Sequence, residues 1–359
     1  MHLHFTYAGG TIGMVDSPHG LRPGADLEAW LNDLLTALPA PKHVPVPPRN
    51  GERVAPDCAA VQVLNTSLTT LHPLLDSSQA APQTWQSIVN DLHAYADVAD
   101  AFVVLHGTDT MAYTASALSY ALTELEQPVI VTGSQLPLGA PGSDAAANVV
   151  GALQALAQGA PRGVHLFFGG RLLAGNRATK ISTWSLEGFD SPGTAPLALA
   201  GAPWHWNERS STAATATATA PHAAWTQPAP FDEHDVIVVD AVPGLSVTRL
   251  KQLLTPPPVA VVLRAFGVGN LAPELTAVIA QAVAGGVAVV VSSQCLQGEV
   301  ALGRYAAGDG LAAAGAVGSG DMTLEATYAK LQFLASQGLR GAELSAWMSR
   351  NLAGELTVQ

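Results

Sequence analysis

The sequence predicts an α/β protein built from two domains with mostly parallel sheets, the N-terminal domain being the larger. The chain has 359 residues, which exceeds the usual length of a single domain. Of these residues 48% are hydrophobic and only 12% are charged, so there is ample material for buried cores. Short apolar runs alternate with helical patterns, as they do in βαβ units that form parallel sheets.

The N-terminal part supplies the first strands and helices of this pattern. Continuous apolar runs, typical of strands buried on both faces, predict strands at 2–7, 101–105, 128–132 and 163–168. Helices are predicted between them at 82–96, 110–125 and 144–158. In the first of these helices the apolar side chains recur at helical spacing, at Trp85, Ile88, Val89, Leu92 and Tyr95.

The composition changes at residues 206–232, which are rich in alanine, threonine and proline and have no steady period. Such a stretch is typical of an exposed linker. The α/β alternation then resumes, with strands predicted at 235–240, 258–264 and 286–292 and helices at 246–254, 273–284, 323–336 and 341–352. The predicted organisation is therefore an N-terminal domain at 1–205, a linker at 206–232 and a C-terminal domain at 233–359.

The charge and the cysteine content argue against several classes of protein. The net charge of −12 repels phosphate backbones, and no cluster of basic residues offsets it, so we expect no nucleic-acid partner. Cys58 and Cys295 are too far apart to suggest a disulfide framework or a metal motif. Metal-ligand spacing such as H-E-x-x-H is absent as well. We expect no cofactor and no metal.

The most apolar long stretch runs from Leu275 to Val291, but Gln281 and the Gly285-Gly286 pair divide it. A helix followed by a buried strand fits this pattern better than a membrane span. The first residues show no charged segment followed by a long apolar one, as a secretory signal would have. We therefore expect a cytoplasmic protein without a membrane partner.

Polar clusters follow three predicted strands of the N-terminal domain: Gly9-Gly10-Thr11, His106 to Thr110, and Gly133-Ser134-Gln135. Ligands of open α/β sheets bind beyond the carboxyl ends of the strands, so the recurrence predicts a site there. Thr11 has two interpretations, a residue that supports a turn or a nucleophilic hydroxyl at a strand end. The glycines before it allow a positive φ or a close backbone approach.

The second cluster has the same ambiguity. Thr108 and Asp109 are good N-caps for the helix at 110–125, and they are equally suited to catalysis. We interpret His106 as a histidine whose hydrogen bonds are satisfied in the core. A hydroxyl nucleophile needs a base, and Lys180, on the loop side of the same domain, is a candidate, although a loop lysine is commonly solvated.

A third group, Asp76, Ser77 and Ser78, precedes the helix at 82–96. These residues suit the capped start of that helix. Their hydroxyl and backbone N–H groups also suit the binding of a carboxylate.

With these clusters in order, the sequence resembles the bacterial L-asparaginases, and within them the cytoplasmic type I branch. "YAGGTIGM" at 7–14 and "LHGTDTMAYTASAL" at 105–118 are similar to the two signatures of that family. "DSS", "VIVTGSQLPL", "GNRATK", "RAFGVGN" and "MSRNLAGELT" add to the resemblance, which covers nearly the whole chain.

The resemblance implies hydrolysis of L-asparagine to L-aspartate and ammonia, with activity on L-glutamine left open. Thr11 would attack the side-chain amide carbon, and Thr108, Asp109 and Lys180 would form the second catalytic group. Asp109 would pair with the α-ammonium of the substrate, and Thr108 would help to bind it. The other substrate-binding residues would be Asp76, Ser77 and Ser78. A homodimer or homotetramer is implied, with sites near subunit contacts.

One departure from the family pattern raises alternatives. Leu21 stands where the family has a loop tyrosine, and no tyrosine occurs between Tyr7 and Tyr95. Leucine cannot relay a proton or donate a hydrogen bond. The chain could therefore be an asparagine-binding protein with weak or no turnover, and a third alternative is an amidotransferase subunit that releases ammonia for a partner.

Arg264 and Cys295 resemble the region where some members bind a second, activating asparagine. The alternatives for these two residues are a salt-bridged arginine and a buried thiol.

Overall fold

The computed structural model describes residues 1–15, 17–18, 20, 22–37, 65–207, 225–300, 302 and 306–357. Leu21, Cys58 and the larger part of the predicted linker at 206–232 lie outside these residues. The chain divides into two compact units, one formed by 1–80 and 84–219 and the other by 81–83 and 220–359. The linker and domain boundaries drawn from the sequence stay predictions.

The first unit contains an eight-stranded sheet with strand order β12-β11-β8-β7-β6-β5-β1-β4. The five strands from β7 to β4 pair in parallel, and the remaining three add antiparallel pairs at one edge. Four two-residue strands form small separate ladders, β2 with β3 and β9 with β10. The bounds of the twelve are β1 His2–Gly9, β2 Met14–Val15, β3 Arg22–Pro23, β4 Asn65–Leu75, β5 Ala101–Leu105, β6 Pro128–Thr132, β7 Gly163–Phe168, β8 Arg171–Ala174, β9 Thr179–Lys180, β10 Phe189–Asp190, β11 Ala198–Leu199 and β12 His205–Trp206.

Four helices of this unit are described: α1 Leu27–Ala37, α2 Pro82–Ala94, α3 Met111–Ala121 and α4 Ala145–Ala157. The continuous apolar runs of β5 and β6 are buried along nearly their whole length, because a central parallel strand has a covered face on both sides. On β1, Leu3, Phe5 and Tyr7 join the main core cluster together with Ile12. The alternate residues His4 and Thr6 instead bond to the Asp91 carboxylate on α2, at 2.9 and 2.5 Å.

The second unit has a four-stranded parallel sheet in the order β13-β14-β15-β16. Its strands are β13 Val236–Asp240, β14 Ala260–Ala265, β15 Ala288–Ser293 and β16 Val317–Gly318. Its helices are α5 Val247–Leu253, α6 Pro273–Ala284, α7 Ala306–Ala313, α8 Leu324–Ser336 and α9 Gly341–Met348. A fully buried ion pair joins Lys330 of α8 to Glu355, with 2.6 Å between nitrogen and oxygen.

The apolar stretch from Leu275 to Val291 forms most of helix α6 and the first part of strand β15, as predicted. Among the described residues, none of the helices combines the length and the hydropathy needed to cross a bilayer.

The predicted fold class is confirmed, since both sheets are mainly parallel and helices connect their strands. Several elements were not predicted, among them α1, β4 and the antiparallel strands β8, β11 and β12. Part of the stretch predicted to be an exposed linker, residues 225–232, is described. Most of these residues are exposed, but Phe231 is buried and the Trp225 ring packs edge-on against Phe333 of α8, with centroids 5.6 Å apart.

Candidate active site

Three segments meet where the parallel strands β1, β4 and β5 end. An added Cβ on Gly10 would lie 2.2 Å from the Cα of Gly107, and one on Gly107 would lie 2.5 Å from Ser77 Oγ. The Gly10 amide also donates to the Leu75 carbonyl at 3.2 Å. Only glycine permits such close approach of two backbones. The residues that follow these glycines, Thr11 and Thr108, therefore stand on adjoining segments.

Thr11 opens a single 3-10 turn, Thr11–Gly13, directly after β1. Gly9 and Gly10 reach this turn with φ of 106° and 96°, a region that favours glycine. The turn is tied by the Gly13 amide donating to Gly10 O at 3.2 Å and by the Leu138 amide donating to Ile12 O at 3.2 Å. The Thr11 side chain is half-buried.

Thr108, Asp109 and Lys180 come together as the sequence predicted. The Lys180 ammonium donates to Thr108 Oγ1 at 2.8 Å and to Asp109 Oδ1 at 2.6 Å. Lys180 is held in β9, which pairs with β10 through Phe189. The Lys180 side chain is 18% exposed, so the alternative of a solvated loop lysine is wrong. Thr108 is buried, whereas the Asp109 side chain is 62% exposed and open to a substrate charge.

The capping interpretation of Thr108 and Asp109 is also wrong. Helix α3 begins at Met111 and its N-cap is Thr110, which makes no side-chain capping bond. The Thr110 hydroxyl donates instead to the Ser77 carbonyl at 2.8 Å. The Asp109 carboxylate accepts from Lys180, so its negative charge faces the lysine and not the start of the helix.

Asp76, Ser77 and Ser78 form the third side of this region, at the end of β4. Asp76 caps the 3-10 turn Ser77–Gln79, its Oδ1 accepting from the Ser78 amide at 2.8 Å. Hydrogen bonds from Ser78 hold the pKa of the Asp76 carboxyl below its usual range. The cap was predicted for the helix at 82–96, but Asp76 caps this separate turn, and α2 begins only at Pro82. Ser77 is buried against Gly107, and Ser78 is exposed.

His106 is the satisfied core histidine that the sequence predicted. It is 2% exposed, with Nδ1 2.8 Å from the Gly107 carbonyl and Nε2 3.0 Å from the Thr114 hydroxyl. Nδ1–H donates to the carbonyl, and Nε2 accepts from the hydroxyl. Burial lowers the pKa of His106, so the ring stays neutral. It fixes the backbone between β5 and α3 and has no free nitrogen for catalysis.

Gln135 was named in the third strand-end cluster but was given no role from the sequence. The Thr108 hydroxyl donates weakly to Gln135 Oε1, at 3.4 Å. Gln135 Nε2 donates to the carbonyls of Ser182 and Ser185 at 3.3 and 3.0 Å, in the loop that follows Lys180. This one side chain thus connects Thr108 with the loop beside Lys180.

A buried carboxylate holds Gln135 in place. Asp144 accepts from the amides of Gln135 and Leu136, at 3.0 and 3.1 Å, and from Asn148 Nδ2 at 2.9 Å. Asn148 in turn donates to the Gly133 carbonyl at 2.9 Å. We call Asp144 and Asn148 the Asp144 brace. The only signal for it in the sequence was an Asp before the helix at 144–158, which indicates no more than a cap.

Arg264 and Cys295 lie at the carboxyl ends of β14 and β15 in the second unit. Arg264 donates to Asp240 Oδ1 at 2.9 Å, so the predicted salt bridge is confirmed. Cys295 is a free and exposed cysteine, and the alternative of a buried thiol is wrong. Its position just after β15 places it beyond the core strand, where the chain turns outward. Among the described residues no group of three His, Cys, Asp or Glu side chains could hold a metal ion.

Family models match the two halves of the chain. The asparaginase N-terminal model covers residues 2–212, and the glutaminase/asparaginase C-terminal domain model covers residues 235–348. The chain belongs to the asparaginase family. The resemblance drawn from the signatures at 7–14 and 105–118 is thereby confirmed.

Individual asparaginases agree with this assignment over the full length. The chain is 40% identical to L-asparaginase 1 of Escherichia coli K12, over 99% of this chain and 98% of that one. The crystal structure of L-asparaginase I from Vibrio cholerae superposes with a TM-score of 0.81 at 37% identity and covers 99% of both chains. The thermostable L-asparaginase of Thermococcus kodakarensis gives 0.79 at 28% identity, over 100% of both.

Proposed function

We propose that this asparaginase-family protein is an enzyme that hydrolyses L-asparagine to L-aspartate and ammonia. The observation that carries the proposal is the pair of hydrogen bonds from Lys180 to Thr108 and Asp109. A lysine, a hydroxyl and a carboxylate within hydrogen-bond reach satisfy the geometric requirement for general acid–base chemistry. Thr108 and Asp109 lie on a segment that adjoins Thr11, the residue at the position of the nucleophile in the first signature.

Thr11 is the proposed nucleophile. Its hydroxyl attacks the side-chain amide carbon of asparagine, and the proton that it loses passes to the amide nitrogen through the second catalytic group. The carbon–nitrogen bond then breaks, ammonia leaves, and an acyl ester remains on Thr11. Water attacks this ester with the same groups as base and acid, which releases aspartate and restores the hydroxyl.

The other charges of the site match the remaining groups of the substrate. The exposed Asp109 carboxylate pairs with the α-ammonium. The hydroxyls of Ser77 and Ser78 and the N–H groups of their turn, which Asp76 holds in shape, bind the α-carboxylate. Backbone N–H donors around Thr108 stabilise the oxyanion, an effect typically worth about 3 kcal/mol per donor.

Ammonia release from L-asparagine tests the proposal. We expect turnover by the wild type and none by Thr11→Ala, because the variant has no nucleophile. Thr255→Ala, which removes an exposed hydroxyl at the end of α5, is the matched control and keeps full activity. Thermal stabilisation by asparagine without ammonia release would instead support the asparagine-binding alternative.

The variant Leu21→Tyr tests whether the absence of the loop tyrosine limits the rate of turnover. A large gain in rate would show that the absent hydroxyl limits turnover. An unchanged rate would show that another group of this chain has taken its place.

We infer four further properties that rest on the family resemblance and the composition. L-glutamine is a second substrate, and Arg264 with Cys295 binds a second asparagine that activates the enzyme. The chain works in the cytoplasm as a homodimer or homotetramer, and two distant cysteines agree with a reducing compartment.

Ammonia release from glutamine, the shape of the rate curve against asparagine concentration, light scattering and cell fractionation test these properties. A strictly hyperbolic rate curve that Arg264→Ala leaves unchanged would remove the activator site.

A further inference from the structure

The Tyr7 phenol on β1 is buried and has an unusual surrounding for a polar group. Tyr7 is 2% exposed, and its hydroxyl makes no hydrogen bond to the described residues. Buried polar atoms are almost always hydrogen-bonded, because an unpaired one loses its water without compensation. Burial raises the pKa of Tyr7 to about 12, so the group is a neutral hydroxyl. Phenylalanine would fill the same core position without the cost of burying an unpaired hydroxyl. The presence of the oxygen therefore needs an explanation other than core packing.

The contact of this oxygen provides that reason. It lies against Gly13, so closely that an added Cβ on Gly13 would be 1.9 Å from it. Gly13 is the last residue of the 3-10 turn that Thr11 opens, and its amide closes the turn by donating to Gly10 O. The Gly13 carbonyl accepts from the amides of Gly24 and Ala25, both at 3.1 Å. The phenol oxygen therefore supports the turn at the point where its backbone bonds meet.

The side chain that carries the oxygen is itself firmly placed. Tyr7 lies within a paired strand, opposite Thr70 of β4 and Leu105 of β5. Its ring packs in the main core cluster with Ile12, Leu27 and Leu31. Core side chains are closely packed and cannot easily shift. The ring therefore holds the phenol oxygen at a fixed position relative to the sheet.

We propose that Tyr7 is a positioning residue for the nucleophile: its hydroxyl fixes the height of the Thr11–Gly13 turn above the core. The inference rests on the proposed function of Thr11. It also explains why the third residue of the turn is glycine, because any side chain there would meet the phenol.

Tyr7→Phe is the direct test, since it removes the oxygen and keeps the ring. The turn then loses its support and settles toward the core. A misplacement of about 1 Å can cost about a hundredfold in rate, and we expect kcat to fall at least about tenfold. KM for asparagine stays within about twofold, because the proposed binding residues that follow β4 and β5 are untouched. The melting temperature stays equal or rises, because an unpaired buried hydroxyl is gone.

The combination of lower kcat with undiminished stability is the signature of positioning. A merely structural tyrosine would lose stability and kcat together, or neither. Tyr95→Phe, which alters a tyrosine that stacks on His4, is the matched control and leaves kcat unchanged. An unchanged kcat in Tyr7→Phe would overturn the inference.

A double-mutant cycle gives a second, independent test. Gly13→Ala places a methyl group in the phenol oxygen, and kcat falls more than in Tyr7→Phe. Adding Tyr7→Phe to Gly13→Ala relieves part of this loss, because the nearest ring atom is then Cζ, at 2.6 Å. Effects of the two substitutions that simply multiply would contradict a shared contact.

Hydrogen exchange separates this inference from the proposed function. In Tyr7→Phe the amides of Ile12 and Gly13 exchange several-fold faster than in the wild type, whatever the activity. A wild type that releases no ammonia overturns the proposed function alone. Unchanged exchange in the turn overturns the positioning inference alone.

Discussion

Lys180 is the residue through which the parts of the site are joined. Its ammonium contacts a hydroxyl that is buried and a carboxylate that is open to solvent. In the proposed mechanism the buried contact serves proton transfer, and the open one leaves Asp109 able to bind a substrate charge as well. No other lysine among the described residues has such partners: Lys330 is bonded within the second unit, and Lys251 is exposed on α5.

Lys180→Met tests this role while keeping the length of the side chain. We expect kcat to fall by about 10²–10⁴-fold, the usual contribution of a general acid or base. Lys251→Met is the matched control and leaves ammonia release unchanged. A Lys180→Met variant with kcat within threefold of wild type would mean that the proton takes another route.

Gly107 shows how closely the substrate pocket is built around the backbone. A methyl group added there would lie 2.5 Å from Ser77 Oγ and 3.0 Å from Gly10 Cα. In Gly107→Ala the Ser77 side chain has to move, so we expect KM for asparagine to rise at least about tenfold, the equivalent of about 1.4 kcal/mol of lost binding. Gly139→Ala, where an added methyl meets nothing within 4 Å, keeps the wild-type KM. Equal KM values in the two variants would contradict the close approach.

At the scale of elements, burial decides what the sequence could predict. Strands β5, β6 and β7 have the predicted bounds, because continuous apolar runs between polar clusters leave few alternatives. Strand β4 was missed since it is an edge strand, half exposed, whose residues NTSLTTLHPLL neither alternate cleanly nor form an apolar run. The two-residue antiparallel strands are too short for any period.

The same limit applies to the site. Residues of the two signatures could be named from the sequence, because each cluster directly follows an apolar strand. Gln135 could not be given a role, since its contacts reach segments that lie 27 to 50 residues away in the chain. The contacts of the Asp144 brace span only 4 to 15 residues, but they join a helix to the loop after β6. Such contacts leave no local pattern.

The Asp144 brace yields the prediction at this scale. Asp144→Ala removes the acceptor of the part-buried amides of Gln135 and Leu136, at a cost of about 0.5–1.5 kcal/mol for each lost hydrogen bond. Gln135 then loses its fixed position beside Thr108, so we expect a lower melting temperature together with a lower kcat. The control Asp97→Ala removes an exposed carboxylate and changes neither quantity. A kcat that survives the loss of stability would mean that Gln135 does not affect Thr108.

At the scale of the whole molecule, the buried histidines link folding to pH. Burial lowers the pKa of His106 and His165, and burial together with the charge of Arg340 lowers that of His234. In the native state these histidines therefore take up a proton only at a lower pH than in the unfolded chain. In the unfolded chain they take it up near the ordinary histidine pKa of 6.5. Stability is fully present above that pH. It is lost as the pH falls below it toward the folded-state values.

His165 allows this dependence to be measured away from the site. It lies on β7, 3% exposed, with Nε2–H donating to the Pro161 carbonyl at 2.7 Å. Below pH 6.5, each such histidine lowers the free energy of unfolding by at most about 1.4 kcal/mol per pH unit, the limit in which the unfolded ring is protonated and the folded ring is not. In His165→Gln, which keeps an N–H donor and does not titrate, we expect urea midpoints to fall less steeply with pH than in the wild type. His93→Gln, at an exposed position, keeps the wild-type slope. Parallel slopes for wild type and His165→Gln would mean that the native state accommodates the proton after all.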